Sequence, residues 1–397
     1  MPHEPSYDIV VIGAGIQGAG VAQAAAVCKY KTLILEKSPS AGLGTSSKSS
    51  KLIHGGLRYL ETGQFKLVMQ SLLERKRLLR NAPHLVKFIP FFIPVYANSS
   101  RPAWLIWLGL CLYSVFSLKK FHIVKKSEWR DLDGLNLKNL KTVFKYYDAQ
   151  TDDTALTQAV MKSAQEHGAE VMYDAHFLTS QVINGHHQLT FKQNNQTSTV
   201  KCNCIINCSG PWAELVQAGI TPSLKLPDIE LVAGAHIIIR RRLNQGAYYI
   251  QANDKRAIFI LPWKEHKCGE DTAMIGTTET PYSEDPDKVT PTPREISYLL
   301  ENYNRHFNNN TSNEDVIESF SGLRVLPASK RGENELSFKK PRDSLIVYSN
   351  TAPALITLIG GKLTTYRSSS EKVINLLRKI LPLNNLSPSR TRNIKLK

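Results

Sequence analysis

The run from Ser46 to Glu61, SSKSSKLIHGGLRYLE, gathers serines, His54, Arg58, Tyr59 and a Gly-Gly pair into one short segment. Hydroxyls and exposed backbone N–H groups suit an anion or a ring edge, imidazole moves protons near neutral pH, and guanidinium offers oxyanions a planar fork. An ordinary loop needs none of these together. A second run, YDIVVIGAGIQGAGVAQAAA, places Gly13, Gly15 and Gly18 in the G-x-G-x-x-G pattern. A third, LITLIGGKLTTYR, sets Gly360 and Gly361 directly before Lys362.

These residues need elements to aim them. The apolar run Ile9 to Ile12 predicts a buried strand, followed by a glycine turn and a helix whose Gly20, Ala22 and Ala24 to Ala26 keep one face thin. Gly13 suits the tight turn, Gly15 the approach of a pyrophosphate together with neighbouring Ile16 and Gln17, and Gly18 close helix–strand packing. A second strand, TLILE, ends on Glu36, placed to accept a hydrogen bond from an adenosine ribose hydroxyl, with Lys37 beside it. That order predicts a dinucleotide site, a fingerprint that NAD and FAD share.

Three features favour FAD. The opening segment follows the second strand directly, so that Thr45, Ser46, Ser47 and the backbone near Lys51 and Leu52 are expected to donate to phosphate and to an isoalloxazine ring. CIINCSGPWA predicts a strand ending in a small-residue turn at Ser209 and Gly210, close to Trp212. Near the end, an apolar strand meets Gly360-Gly361 and a helix predicted to begin around Leu363 and Thr364. Glycines opening a helix expose N–H groups and the positive end of its dipole, suited to the flavin N1–C2=O edge.

With 397 residues, 42% hydrophobic and 21% charged, the chain is long enough for two domains and is not of disordered composition. A net charge of +16 calls for an anionic partner, yet there is no zinc-finger, helix-turn-helix or RNP pattern, so nucleic acid is not expected and anionic lipid with an anionic substrate is. Of the six cysteines, Cys202, Cys204 and Cys208 cluster without a second ligand group, which predicts a buried strand and no metal. The absence of a signal peptide predicts a reduced, cytoplasmic compartment. PAWLIWLGLCLYSVFSL, residues 102–118, falls short of the ~20 residues that span a bilayer. Its readings are a buried helix, one lying in the membrane interface, and, last, a true span.

The ordered set GAGIQGAG, TSSKSSKLIHGGLRYLE, YYDAQTDDTAL, NCSGPW, GAHIII, FILPW, IGTTE, SGLRVL and GGKLTTYR resembles the FAD-dependent, aerobic-type glycerol-3-phosphate dehydrogenases from about residue 6 to about residue 370. The resemblance implies oxidation of sn-glycerol 3-phosphate to dihydroxyacetone phosphate by hydride transfer to flavin N5, with electrons passed to a membrane quinone. A related oxidase uses oxygen, and a non-catalytic flavin-binding, membrane-associated protein and an amine or amino-acid oxidase are the rival readings. It implies phosphate-holding cations at Arg58, Arg324, Arg342 and Lys362, substrate orientation by Tyr59, Thr278 and Arg324, and His236 as the base, with His54 as the alternative beside the flavin. Implied too is peripheral attachment to the inner face of the cell membrane, with homo-oligomerisation left open. This sequence departs from the pattern at Lys48, Cys208-Ser209 and Glu279, and it stops soon after GGKLTTYR, where many relatives continue into a helical C-terminal domain.

The expected architecture is α/β. Residues 1–85, 145–232 and 345–397 are expected to build a discontinuous Rossmann-type FAD domain of the glutathione-reductase-like or D-amino-acid-oxidase-like kind. Residues 86–144 and 233–344 are expected to build an inserted substrate domain with a mixed or antiparallel sheet, containing the potential membrane-contacting segment 102–118. PTPREISYLLENYNRHF reads as a helix opened at Thr292-Pro293.

Overall fold

The computed structural model describes residues 5–60, 63–117, 119–264, 271–328, 344–382 and 390–397, without the side chains of Arg58 and Phe116. Its helices are α1 (Ile16–Val27), α2 (Phe65–Asn81), α3 (Ala103–Phe116), α4 (Asp153–Glu166), α5 (Ala213–Ala218), α6 (Pro293–His306) and α7 (Tyr366–Ile380).

Two sheets organise the α/β fold. In the first, strand Ser6–Ile12 lies between Thr32–Leu35 and Gln196–Asn207, all parallel. Ile9, Val10 and Val11 are fully buried, as a strand covered on both faces requires. The long strand Gln196–Asn207 changes partner part-way. Its first half pairs antiparallel with His186–Gln193, whereas Cys204 to Asn207 pair in parallel with the late strand Ala354–Ile359. Cys202, Cys204 and Cys208 are buried along and just after it. The C-terminal return thus delivers Gly360 and Gly361 beside the first glycine turn. α1 packs against α7 at Gly20, where an added Cβ would lie 2.5 Å from Ser370 Oγ and 2.6 Å from the Tyr366 ring.

The second sheet is mixed and centred on Ile229–Ile239. Val316–Pro327 runs antiparallel along one edge of that strand, and Asp271–Gly276 and Thr280–Tyr282 pair along the other. Strands Ala257–Lys264, Ala247–Gln251, Val86–Tyr96 and Leu140–Thr151 extend the sheet, and Leu52–Ile53 joins the last of these. Alternation along Ile229–Ile239 sends Ile237 and Ile239 into a core shared with Leu299, Leu300 and Tyr303 of α6. Gly234 and His236 therefore face the opposite way, toward the first sheet. The Thr292 hydroxyl accepts from Glu295 N at the start of α6, and the Glu295 carboxylate accepts from Thr292 N, completing a capping box.

α3 occupies most of the apolar segment. Leu110 and Tyr113 are buried on its inner side, while Trp104 (66% exposed), Trp107, Leu108, Leu112 and Val115 (73%) stand in solvent. It is not a buried helix. Among the described residues, no helix is long and apolar enough to cross a membrane.

The tightest position in the first glycine turn is Gly18, where a Cβ would lie 1.9 Å from Gly13 O. Gly18→Ala is expected to cost about 2–3 kcal/mol in urea denaturation of the apoprotein and to weaken FAD binding at least about tenfold. A variant with parental stability and FAD affinity would refute this account of the turn.

Candidate functional site

A cavity of about 480 Å³ lies between the ends of the first sheet's strands and the open face of the second. At one end, Gly13 turns with φ +97° and approaches the chain so closely that a Cβ would sit 2.9 Å from Cys208 O. Glu36 accepts from Ala14 N at 2.6 Å and from Ser38 N at 2.8 Å, so its carboxylate braces the turn itself. Carboxylate oxygens carry further lone pairs, which keeps a ribose hydroxyl within its capacity. Ser46 Oγ accepts from Ile16 N, the first N–H of α1, at 2.9 Å. Lys37 Nζ rests 3.8 Å from the centre of the Trp212 ring and 2.5 Å from Asp287 Oδ1, and Trp212 Nε1 donates to Asp287 Oδ2 at 3.1 Å. This clasp joins the loop between strand Thr280–Tyr282 and α6 to two residues of the nucleotide end.

At the other end the cavity is lined by His54, Tyr59, His236, Arg324 and the run Gly360 to Thr364. Arg324 and His236 come from the paired strands Val316–Pro327 and Ile229–Ile239, in the register Val232↔Arg324 and His236↔Phe320 that puts both on one face. Arg324 Nη1 pairs with Glu279 Oε1 at 3.0 Å, and Nη2 donates to Thr277 Oγ1 at 3.3 Å. Lys362 Nζ lies 3.8 Å from the centre of the Tyr59 ring, a cation–π contact. Gly361 has φ +99°, and a Cβ there would lie 2.6 Å from Gln17 Nε2, so the second glycine pair is as closely fitted as the first. His54 stands against Phe259 with ring centroids 6.4 Å apart.

His236 is the most perturbed ionisable group here. It is 2% exposed, stacks on Phe320 with centroids 5.0 Å apart, and shares a hydrogen bond between Nε2 and Ser50 Oγ at 2.9 Å. Burial first, and then the charges of Arg324 and Lys51, push its pKa from 6.5 down to about 3, so the ring is neutral at physiological pH. A Cβ on Gly276 would lie 2.1 Å from this ring, so the neighbouring strand must carry glycine there.

Of the residues the sequence nominated, Gly13, Gly15, Ile16, Gln17, Glu36, Lys37, Thr45, Ser46, Leu52, His54, Tyr59, Ser209, Gly210, Trp212, His236, Arg324, Gly361, Lys362, Leu363 and Thr364 line this one cavity. Gly18 stands behind it. Ser47 Oγ donates to the carbonyls of Leu43 and Gly44. Lys51 points away, its Nζ 2.5 Å from Asp153 Oδ1 and both side chains nearly inaccessible. Thr278 is also turned inward: its Oγ1 accepts from Ala235 N at 2.9 Å and donates to Glu295 Oε1 at 2.6 Å, bracing the strand that bears His236. Arg342 and the side chain of Arg58 lie outside the described residues. Sequence reasoning passed over Ser50, Phe320 and Asp153. Ser50 sat inside the opening segment and Asp153 inside TDDTAL, but their partners are distant in the chain.

A narrow passage floored by two glycine turns, with a helix N-terminus at one end and cations at the other, fits an extended dinucleotide. A model of the FAD dependent oxidoreductases matches residues 8–367. The chain belongs to that family. As a member of this FAD dependent oxidoreductase family it takes FAD as its cofactor; of the lining residues, Gly13, Gly15, Ile16, Glu36 and Ser46 are able to hold the dinucleotide and Gly361 to Thr364 its far end. It is 36% identical to D-erythritol 1-phosphate dehydrogenase of Brucella abortus over 389 residues, 96% of this chain and 76% of that protein. It is 35% identical to glycerol-3-phosphate dehydrogenase of Pseudomonas aeruginosa over 407 residues, 98% of this chain and again 76% of the relative. Among solved structures, glycerol-3-phosphate dehydrogenase of Bacillus halodurans complexed with FAD superimposes with a TM-score of 0.76 at 26% identity, covering 98% of this chain and 68% of that one.

The buried imidazole gives the family member an acid-sensitive centre. An unfolded histidine binds its proton near pH 6.5 and the folded His236 only near pH 3, so its contribution to stability is complete above the first value and is lost as pH falls through the interval. Between about pH 7 and about pH 5 the parent is expected to lose on the order of 2 kcal/mol more than His236→Gln, read by urea denaturation at each pH. Equal losses in the two proteins would contradict it.

Proposed function

We propose that this flavoenzyme oxidises sn-glycerol 3-phosphate to dihydroxyacetone phosphate and hands the electrons to a membrane quinone. The observation that carries the proposal is that Arg324, Lys362 and the neutral His236 line one cavity. FAD, when bound, supplies the hydride acceptor. Arg324, steadied by Glu279, presents a guanidinium edge, and Lys362 adds a point charge over Tyr59, together suiting a phosphate dianion. His236, uncharged before substrate arrives, is ready to receive the hydroxyl proton, and an incoming dianion offsets the cations that depress its basicity. Thr278 and Glu295 hold its strand in place.

A second reading has a specific basis. Identity to the D-erythritol 1-phosphate dehydrogenase equals that to the glycerol-3-phosphate dehydrogenase within one per cent, and both substrates end in a phosphate beside a secondary alcohol. Membrane attachment is supported by the exposed indoles and aliphatic side chains of α3, followed by exposed Lys119 and Lys120, in a chain of net charge +16.

Anaerobic addition of sn-glycerol 3-phosphate should bleach the flavin absorption, faster than D-erythritol 1-phosphate does; the reverse order assigns the longer substrate. Reoxidation by a quinone analogue but not by oxygen marks a dehydrogenase. Lys362→Ala and Arg324→Ala are each expected to lower kcat/KM about 10- to 150-fold, the ~1.5–3 kcal/mol of a charge-assisted hydrogen bond. A flavin that neither polyol phosphate reduces would end the proposal. In sedimentation with vesicles containing anionic lipid, replacing Trp104 and Trp107 by serine should reduce the bound fraction several-fold, and undiminished binding would remove α3 from the membrane contact.

A further inference from the structure

His236 is a buried base with its reactive nitrogen already engaged. Its Nε2 carries a single hydrogen-bonding site, and the Ser50 hydroxyl takes it at 2.9 Å. The ring is 2% exposed, with Phe320 stacked against it, and both it and the half-buried Ser50 line the cavity. A hydroxyl has one proton to give and two lone pairs with which to accept. Ser50 is therefore the group able to face a substrate oxygen and the imidazole at once.

Its placement is enforced from both sides. Asp153, fully buried, accepts from Ser49 N at 3.0 Å and Ser49 Oγ at 2.6 Å through Oδ2, and from Lys51 Nζ through Oδ1. Lys51 N donates back to Ser49 Oγ at 3.1 Å, and Lys51 holds φ at +56°. One carboxylate thus grips both neighbours of Ser50 and leaves the intervening side chain directed at His236.

We propose that Ser50 is a further catalytic residue, a hydroxyl relay between the substrate carbinol and His236. This rests on the reading of the site as a polyol-phosphate oxidase or dehydrogenase. As the carbinol C–H bond breaks and its hydride leaves to the cofactor, the carbinol O–H proton passes to Ser50 Oγ. The proton that Ser50 carried moves to His236 Nε2. The carbon becomes a ketone, Ser50 ends neutral, and His236 ends as the imidazolium. Asp153 is a positioning residue in this scheme.

The test uses full-chain, FAD-loaded protein with Ser50→Ala and Ser50→Thr. In protein carrying ¹⁵N-histidine, the His236 Nε2 resonance should move in Ser50→Ala and return toward the parental position in Ser50→Thr. An unmoved resonance overturns the proposal whatever the activity. In stopped-flow anaerobic reduction by sn-glycerol 3-phosphate or D-erythritol 1-phosphate, Ser50→Ala should slow the rate about 100-fold with substrate affinity within about threefold, and Ser50→Thr should recover to within about tenfold of the parent. The proton inventory in mixed light and heavy water should curve for the parent, with two protons in flight, and be linear for Ser50→Ala. A parental rate in Ser50→Ala, or a linear inventory in the parent, overturns the relay. A parent that neither substrate reduces, while the resonance still shifts, overturns the substrate reading and with it the proton's course, leaving only the Ser50–His236 contact.

Discussion

A single buried ion pair, Lys51 with Asp153, holds the thread on which this site is assembled. Taking both charges out of water is expensive, and such a pair persists when further hydrogen bonds saturate it. Here they do: Asp153 also receives Ser49 N and Oγ, and Lys51 Nζ also donates to Ser47 O at 2.7 Å. From that knot the segment reaches both sheets. Ser46 caps the first N–H of α1, and Thr45 Oγ1 donates to Leu323 O at 3.2 Å. The Lys48 carbonyl crosses so near Gly322 that a Cβ there would lie 2.5 Å away, and Leu52–Ile53 joins the edge of the second sheet. Dinucleotide cradle and substrate face are therefore registered to each other by one short piece of chain.

The same segment continues to the outer surface. Gly55 N donates to Tyr113 Oη at 3.0 Å on the inner side of α3, and Tyr113 donates to Asp148, itself paired with the fully buried Arg75. The apolar face that α3 turns to solvent is thus only one helix thickness from the turn bearing His54 and Tyr59. The outer face of α3 and the turn that lines the cavity are thus joined by rigid packing rather than by a hinged arm.

Local chemistry was readable in the sequence and long-range pairing was not. The glycine turn, the following helix and Glu36 lie within one strand–helix–strand unit, so steric rules fix them without reference to the rest of the chain. The α6 cap was equally legible because Thr292 and Glu295 are three residues apart. His236 was recognisable as a chemistry-bearing residue in a strand and Arg324 as a cation in its motif, but their sharing of a face depends on the register between two strands far apart in sequence. The resemblance implied Thr278 as a substrate contact, whereas the fold spends its hydroxyl on Ala235 and Glu295. Ser50 and Asp153 carried no local signature, being one serine among several and one acid beside a helix cap, and only the folded contacts single them out. The apolar run 102–118 was ambiguous because its composition is uniform, while its burial is decided by which side meets Tyr146 and Leu72.

The partner change along Gln196–Asn207 has a consequence for how the protein is made. The cradle begun at Gly13 is closed by the strand Ala354–Ile359, and Gln17 meets the Lys362 carbonyl across 345 residues of chain. A ribosome releases the glycine turn long before its closing strand, so the central sheet waits through that interval with an open hydrogen-bonding edge. Cofactor cannot shelter the nascent domain during that interval. Efficient production therefore depends on protection of that edge while the chain is still growing.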